Sequence, residues 1–548
     1  MILRAFRLLA FGALISVAEL AAGQARVVFT VDATGPTTTI SPHIYGVNGG
    51  LRPSGLRSIR VGGNRYSGYN WETNHSNAGS DYFHSSDLHL VKGLGPDTPP
   101  GEAIRPKMVE AAELGASLVV TVPMAGHVAA DIKGNVLETE TAPSPRWRAV
   151  EARKSSVYPG SELSLTPDES DGYVFTDELV NWVEQTRSPE QTVFYSLGNE
   201  PALWDGTHPR LYGTTNPTFA EIGRKSISHA SAIKAIAPDA LVLGGVTYGW
   251  GAMVNLGGAA DFDRRVPAPR ATPGLHFNRW LLKTLAAEEN KRGRPLVEVL
   301  DFHWYPEARG GGVRVTFDGV LDNRPEVVAA RLQAPRSLWD PSYTEASWIT
   351  KASTRGEPIR LLRRVQSDID ELKPGAKMAI TEYNYGGGNH ISGALAQADV
   401  LGILGREGVF MAHWWPIERH GDRDFIRAGF EVFTDFDGRG GRFGEASLPT
   451  TNSDVEAASV YASQSASRPG EVILVALNKA PHPLEAEVRM TGRATYRAAE
   501  VFRLTDSEAA LRRVGSLGMG RGNTLRYEMP PYSASTIRLT SAQEGAAE

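Results

Sequence analysis

Eight short apolar runs between residues 43 and 414 constrain this chain more than any other feature. They are HIYGVN (43–48), RSIRVG (57–62), SLVVTVP (117–123), VFYSLGN (193–199), ALVLGGV (240–246), VEVLDFH (297–303), AKMAITE (376–382) and GVFMAHW (408–414). Helical patterns separate most of them. Phe277, Leu281 and Leu285 recur every four residues after the fifth run, and Ile359, Leu362, Val365 and Ile369 precede the seventh. Pro106 stands where a helix would begin and Gly115 where it would end. Strands alternating with helices in this number predict a (β/α)8 barrel. Two places fit that rhythm poorly: the first two runs are too close for a crossover helix, and no clear helical pattern follows the last.

The fourth and seventh runs end in chemistry. Burying VFYSL in a parallel sheet leaves Asn199 and Glu200 at its carboxyl end, where α/β barrels place their reacting groups, and Glu382 occupies the same position in AKMAITE. Long segments at 125–172, 247–275 and 304–355, rich in Gly, Pro and Trp, follow the third, fifth and sixth runs and would wall a cleft on that face. A closed barrel therefore brings two carboxylates to one mouth.

Such a pair suits cleavage of an acetal. One group protonates the departing oxygen; the other attacks the anomeric carbon when the carboxyls lie about 5 to 5.5 Å apart, and configuration is retained. Mutual repulsion is expected to keep one of them protonated near neutral pH. Asn199, beside Glu200, is placed to hydrogen-bond the neighbouring sugar hydroxyl, a contact that strengthens in the transition state.

The remainder of the chain reads as follows. Residues 1–25 carry Arg4 and Arg7, an apolar stretch from Leu8 to Val17 and the small-residue end ELAAGQA, the layout of a secretory signal peptide with too short a core to span a bilayer. Residues 26–42 read as strands that join a second domain, 43–449 as the barrel, and 450–548 as an antiparallel β-sandwich, because the rhythm there changes to period two. Absence of a Pro, Ser or Gly linker argues that the sandwich braces the barrel. A net charge of −5 leaves no electrostatic case for nucleic acid or membrane as partner. With no cysteine, disulfides, thiolate metal sites and a cysteine nucleophile are excluded. No H-E-x-x-H helix supports a metalloprotease, and no G-x-S-x-G turn supports a serine hydrolase.

The blocks LGNEPALWDGTHPR, DFHWYPEARGGG, QAPRSLWDPSY, ITEYNYGGGNHISG and GGNRYSGYNWETNHSNAGSD resemble signature segments of glycoside hydrolase family 44 across nearly the whole barrel. That resemblance implies a secreted, retaining endo-β-1,4-glucanase acting on cellulosic glucan or xyloglucan, with Glu200 as general acid/base, Glu382 as nucleophile, and a barrel plus β-sandwich. The alternatives are a retaining hydrolase of xylan or mannan with the same glutamates, and an inactive glycan-binding protein.

In or beside these blocks, Trp71, Trp204, Trp304, Trp339 and Trp415 offer flat faces to glucose rings, Trp71 and Trp415 foremost. His303 and Tyr305 stand where they can bond the nucleophile or the sugar, and Asn64 and Arg65 where they can meet hydroxyls. No cofactor is expected for catalysis. The resemblance implies a structural calcium, for which Glu72, Asp168 and Asp171 supply oxygen ligands, with DFDGRGG (435–441) as a second calcium-loop pattern. The protein is expected to act as a monomer.

Overall fold

The computed structural model describes residues 25–267, 274–417, 421–492 and 494–541. The expected signal peptide therefore lies, apart from Ala25, outside the described residues. After an N-terminal strand β1 (Arg26–Asp32), eight parallel strands close into a barrel in chain order: β2 (Gly46–Val47), β3 (Ser58–Val61), β4 (Ser117–Val122), β5 (Val193–Leu197), β6 (Val242–Tyr248), β7 (Val299–Trp304), β8 (Lys377–Tyr383) and β9 (Met411–Trp414). The eight apolar runs are these eight strands. β4 and β5 are buried at every residue, which is why they read as continuous apolar runs without alternation.

One layer of the interior is made by Val119, Phe194, Leu243, Val299, Ala379 and Met411, one residue from each of six successive strands. The register Phe194 to Val119, Leu243 to Val299 and Ala379 to Met411 puts them at one level. One ring, Phe194, and five aliphatic or thioether side chains fill the barrel floor, so the site is pushed to the carboxyl end.

Outer helices include α1 (Arg105–Glu113), α2 (Thr176–Thr186), α3 (Phe219–Ile236), α4 (His276–Arg292), α5 (Pro325–Gln333), α6 (Leu361–Leu372), α7 (Ile391–Arg406) and α8 (Asp424–Thr434). α4 buries Phe277, Leu281 and Leu285, the four-residue stripe of the sequence. Both irregularities have a physical reason. β2 reaches β3 through a coil with no helix, and α8 follows β9 after all, its start hidden in sequence by the polar stretch before Asp424.

The second layer system is a sandwich of a seven-stranded and a four-stranded sheet. The first holds β10 (Ala458–Ser465), β11 (Arg468–Asn478), β13 (Tyr496–Thr505), β14 (Glu508–Gly518) and β16 (Ser533–Ser541), with two short strands at its edge; the second holds β1, β12 (Leu484–Thr491), β15 (Thr524–Met529) and the strand Thr450–Asn452. β1 pairs with β12 in parallel along its whole length, the one departure from antiparallel pairing within these two sheets. Val27, Phe29 and Val31 point into the sandwich core beside Val488 and Leu525.

α7 is buried almost throughout and lies between barrel and sandwich. Gly402 is required there, because a Cβ would sit 2.3 Å from the Tyr461 ring. Tyr461 Oη then donates to Asp399 Oδ1 at 2.6 Å, and Lys479 Nζ, on the sandwich side, lies 3.7 Å from Asp399 Oδ2 with both side chains sealed from solvent. No helix of the described residues is long and apolar enough to cross a membrane.

Candidate active site

The two glutamates reach one cleft by different local devices. Glu200 lies three residues past the end of β5, in the left-handed region at φ 44°, and its N–H donates to the Val246 carbonyl at 3.0 Å. Val246 is itself left-handed at φ 43°, in the shift of register between Gly245 and Thr247 on β6. Two non-glycine residues in a conformation that costs on the order of 1–3 kcal/mol each, tied to one another, fix where the Glu200 side chain leaves the backbone. Glu382 is the penultimate residue of β8, at a register shift against both neighbouring strands, and such a bulge turns a side chain toward the mouth.

His303, paired opposite Glu382, sits between the carboxylates. Its Nδ1 is 2.8 Å from Glu200 Oε1 and 3.4 Å from Glu382 Oε2. One oxygen of each glutamate and one imidazole nitrogen all lie within 4.8 Å of one another. Tyr305 Oη donates to Glu382 Oε2 at 2.8 Å. Arg60, from β3, donates through Nη1 to Glu382 Oε1 at 2.7 Å and through Nη2 to Asn199 Oδ1 at 2.8 Å, and Asn199 Nδ2 donates in turn to Asn64 Oδ1 at 3.2 Å. Guanidinium and phenol hydrogens thus already sit on both oxygens of Glu382.

Burial pushes the Glu200 carboxyl up to about 8; Asp81 adds to the rise and Arg60 opposes it. The expected cause was repulsion from Glu382. The structure assigns the rise first to desolvation. Burial also pushes His303 down to about 3, so its imidazole is neutral between the two acids.

The cleft has a volume of about 1080 Å³ and is walled by Asn64, Arg65, Tyr66, Asp81, Tyr82, Tyr248, Phe317 and Trp415 around the glutamates. Trp415 covers Gly63 so closely that a Cβ there would lie 2.3 Å from the ring. Asn64, Arg65, Asn199, His303, Tyr305 and Trp415 are thus brought to the site or its wall. The other tryptophans are not. Trp71 is sealed in the core, 6.0 Å from the Trp182 ring, and Trp304 is equally buried. Trp204 is fully buried and props the loop of Asn199 and Glu200 from behind by donating Nε1–H to the Asn199 carbonyl at 2.8 Å. Trp339 stacks under the Arg406 guanidinium, 4.1 Å away, and lines no part of the cleft. A flat aromatic face satisfies the core as well as a sugar, so sequence position alone does not separate the two.

The three residues expected to ligate calcium differ in their surroundings. Glu72 is buried, and desolvation with the charges of Asp171, Glu178 and Glu169 pushes it to about 9. Asp168, however, is exposed and spends one oxygen on Ser170, while Asp171 takes the N–H of Tyr173. Glu72, Asp168 and Asp171 do not come within ligand distance as a set; among the described residues the one such trio is Glu200, His303 and Glu382. In 435–441, Asp435 and Asp437 turn their oxygens onto N–H groups of their own loop and onto Arg538, which leaves a self-satisfied turn.

Arg60, Asn48, Asp301 and Thr381 are functional neighbours that the sequence reading missed. The signal was present: Arg60 and Asp301 are charges inside otherwise apolar strand runs, and a charge in a strand buried on both faces must be paired.

The chain matches glycoside hydrolase family 44 over residues 75–308. It is 38% identical to endoglucanase A of Paenibacillus lautus over 537 residues, covering 95% of this chain and 74% of that one. It is 37% identical to the beta-mannanase/endoglucanase A of Caldicellulosiruptor saccharolyticus over 533 residues, and spans only 38% of that longer protein. Among solved structures it is similar to a family 44 xyloglucanase from Paenibacillus polymyxa, with a TM-score of 0.88, 37% identity and coverage of 94% of this chain and all of that one; that enzyme has also been solved with xyloglucan.

Proposed function

The chain belongs to glycoside hydrolase family 44, and from that premise we propose that it is a retaining endo-β-1,4-glucanase acting on cellulosic glucan or xyloglucan. The observation that supports the reading is the closeness of Glu200 and Glu382: one oxygen of each lies within 4.8 Å of the other, nearer to the about 5 to 5.5 Å of retaining pairs than to the about 6.5–9.5 Å that leaves room for an inverting enzyme's water.

In the first step Glu200, kept protonated by burial, gives its hydrogen to the departing glycosidic oxygen while Glu382 attacks the anomeric carbon. A covalent glycosyl-enzyme results. In the second step Glu200, now a carboxylate, takes a proton from water, which attacks the same carbon and releases Glu382 with net retention. Arg60 and Tyr305 hold Glu382 in line, and Arg60 orients the Asn199 amide so that its N–H₂ side faces Asn64 and the cleft. A cleft walled by Tyr66, Tyr82, Tyr248, Phe317 and Trp415 suits the apolar faces of sugar rings in a neutral polymer. The Paenibacillus polymyxa relative solved with xyloglucan supports branched glucan as substrate.

Export follows from reading residues 1–25 as a signal peptide, and the enzyme is proposed to work as a monomer, which light scattering of the purified protein checks. Hydrolysis is tested by reducing-end assays on carboxymethylcellulose, xyloglucan, xylan and mannan with wild type and Glu382→Ala. Activity on the first two that disappears in the variant is expected. A wild type that binds glucan without turning it over would favour the glycan-binding alternative, and preference for xylan or mannan would favour the other hydrolase.

A further inference from the structure

Beneath Glu200 lies a buried chain of polar groups that the double displacement does not itself use. His303 Nε2 is 3.2 Å from Thr381 Oγ1; Thr381 Oγ1 is 2.6 Å from Asp301 Oδ2; and Thr381 N is 3.1 Å from Asp301 Oδ1. Asp301, His303 and Thr381 are sealed from solvent. Because β7 carries Asp301 and His303 on one face and the bulge of β8 sets Thr381 against both, the three contacts come from adjacent strands.

The direction of each hydrogen bond follows from what each atom can do. An ionised carboxylate only accepts, so both Thr381 hydrogens, on N and on Oγ1, point at Asp301. Oγ1 has then only a lone pair to offer His303, and Nε2 must carry a hydrogen. A neutral imidazole has one, so Nδ1 is bare. Facing a bare nitrogen at 2.8 Å, Glu200 has to be the donor.

We infer that Asp301, acting through Thr381, is a positioning residue that fixes the tautomer of His303 and so keeps the hydrogen on Glu200, where a general acid needs it. This rests on the reading of Glu200 as the acid. The charged and titratable groups around the chain are Arg60, Glu382 and Tyr305 on the side of the nucleophile, Asp81 and Tyr248 near Glu200, and His413 behind His303. Burial lifts both Asp301 and Glu200, and at Asp301 the Arg60 charge and the two hydrogens from Thr381 oppose that rise and favour the carboxylate.

The discriminating variant is Asp301→Asn. The Thr381 N–H still demands an acceptor, so the new Asn oxygen faces it and the Asn N–H₂ donates to Oγ1. Thr381 then turns its hydroxyl to Nε2, the hydrogen moves to Nδ1, and it is donated to Glu200, which favours the carboxylate. In pH profiles of kcat/KM on carboxymethylcellulose the alkaline limb should move down by about one unit, a tenfold change in the proton equilibrium. Thr381→Val, which removes the link, should move it the same way by less, and Thr381→Ser should restore it. A merely structural role lowers kcat without moving the limb. In the wild type itself, ¹⁵N spectra of labelled histidine, assigned by the signal missing from a His303→Gln variant, should show Nδ1 as unprotonated and Nε2 as protonated. An unmoved limb in a folded Asp301→Asn protein, or a protonated Nδ1 in the wild type, overturns the inference. Failure of the underlying reading looks different: Glu200→Gln would retain full turnover while the ¹⁵N pattern stayed as described.

Discussion

Arg60 Nη1 and Glu382 Oε1 are 2.7 Å apart, and the two side chains are 0% and 5% exposed. An ion pair this deep is retained for position, since desolvation offsets most of the attraction. Removing one member is another matter, because the survivor keeps its neutral hydrogen-bond partners but is left buried without a counter-charge.

Arg60→Met should therefore cost about 3–5 kcal/mol of stability and lower kcat/KM by at least about 100-fold, as a donor to the reacting carboxylate and the anchor of Asn199 disappear together. Arg60→Lys keeps the charge but not the fork, and should fall between the two. Thermal melts and initial rates on xyloglucan check both.

With Glu200 as the proposed acid, that residue should set the pH behaviour. With its carboxyl at about 8, kcat/KM should decline as pH rises through that value, and Glu200→Gln should remove the limb with the activity. The sign for stability is fixed as well. The folded value lies above the unfolded one of about 4.5, so the contribution of Glu200 is fully present below pH 4.5 and is lost as pH climbs through about 8. Glu200→Gln should therefore gain Tm relative to wild type between those limits, measured by calorimetry across pH.

Trp415 and Trp71 should separate function from packing. Trp415→Ala opens the cleft wall over Gly63 and should raise KM by about tenfold with little change in Tm. Trp71→Ala creates a core cavity costing about 3–5 kcal/mol and should lower Tm while leaving KM unchanged.

The barrel and the sandwich are latched at Asp399. Asp399→Ala strands Lys479 in the interface with only the Val455 carbonyl, and should destabilise by about 3–5 kcal/mol. Activity well below the melting range should be preserved, since the latch is remote from the cleft.

The barrel was legible because strands buried on both faces leave continuous apolar runs, and Glu200 and Glu382 were legible because each interrupts such a run at its carboxyl end. Asn199, His303 and Tyr305 followed from adjacency to those ends. What did not follow was convergence. Trp71, Trp204 and Trp339 lie near the signature blocks yet face away, since proximity in sequence says nothing of which side of a loop a ring takes. Glu72 is buried while Asp168 is exposed, a difference in burial that their shared acidity does not reveal. Arg60 and Asp301 were visible as charges in apolar strands, but their partners come from strands far away in the chain.

The account stands on two carboxyls close enough for one to bond the sugar carbon while the other handles its proton. Proton NMR of the first product released from a β-1,4-glucan, recorded before mutarotation, reads this directly. The signal of a β-configured reducing end is predicted; an α-configured reducing end, produced by inversion, would contradict it.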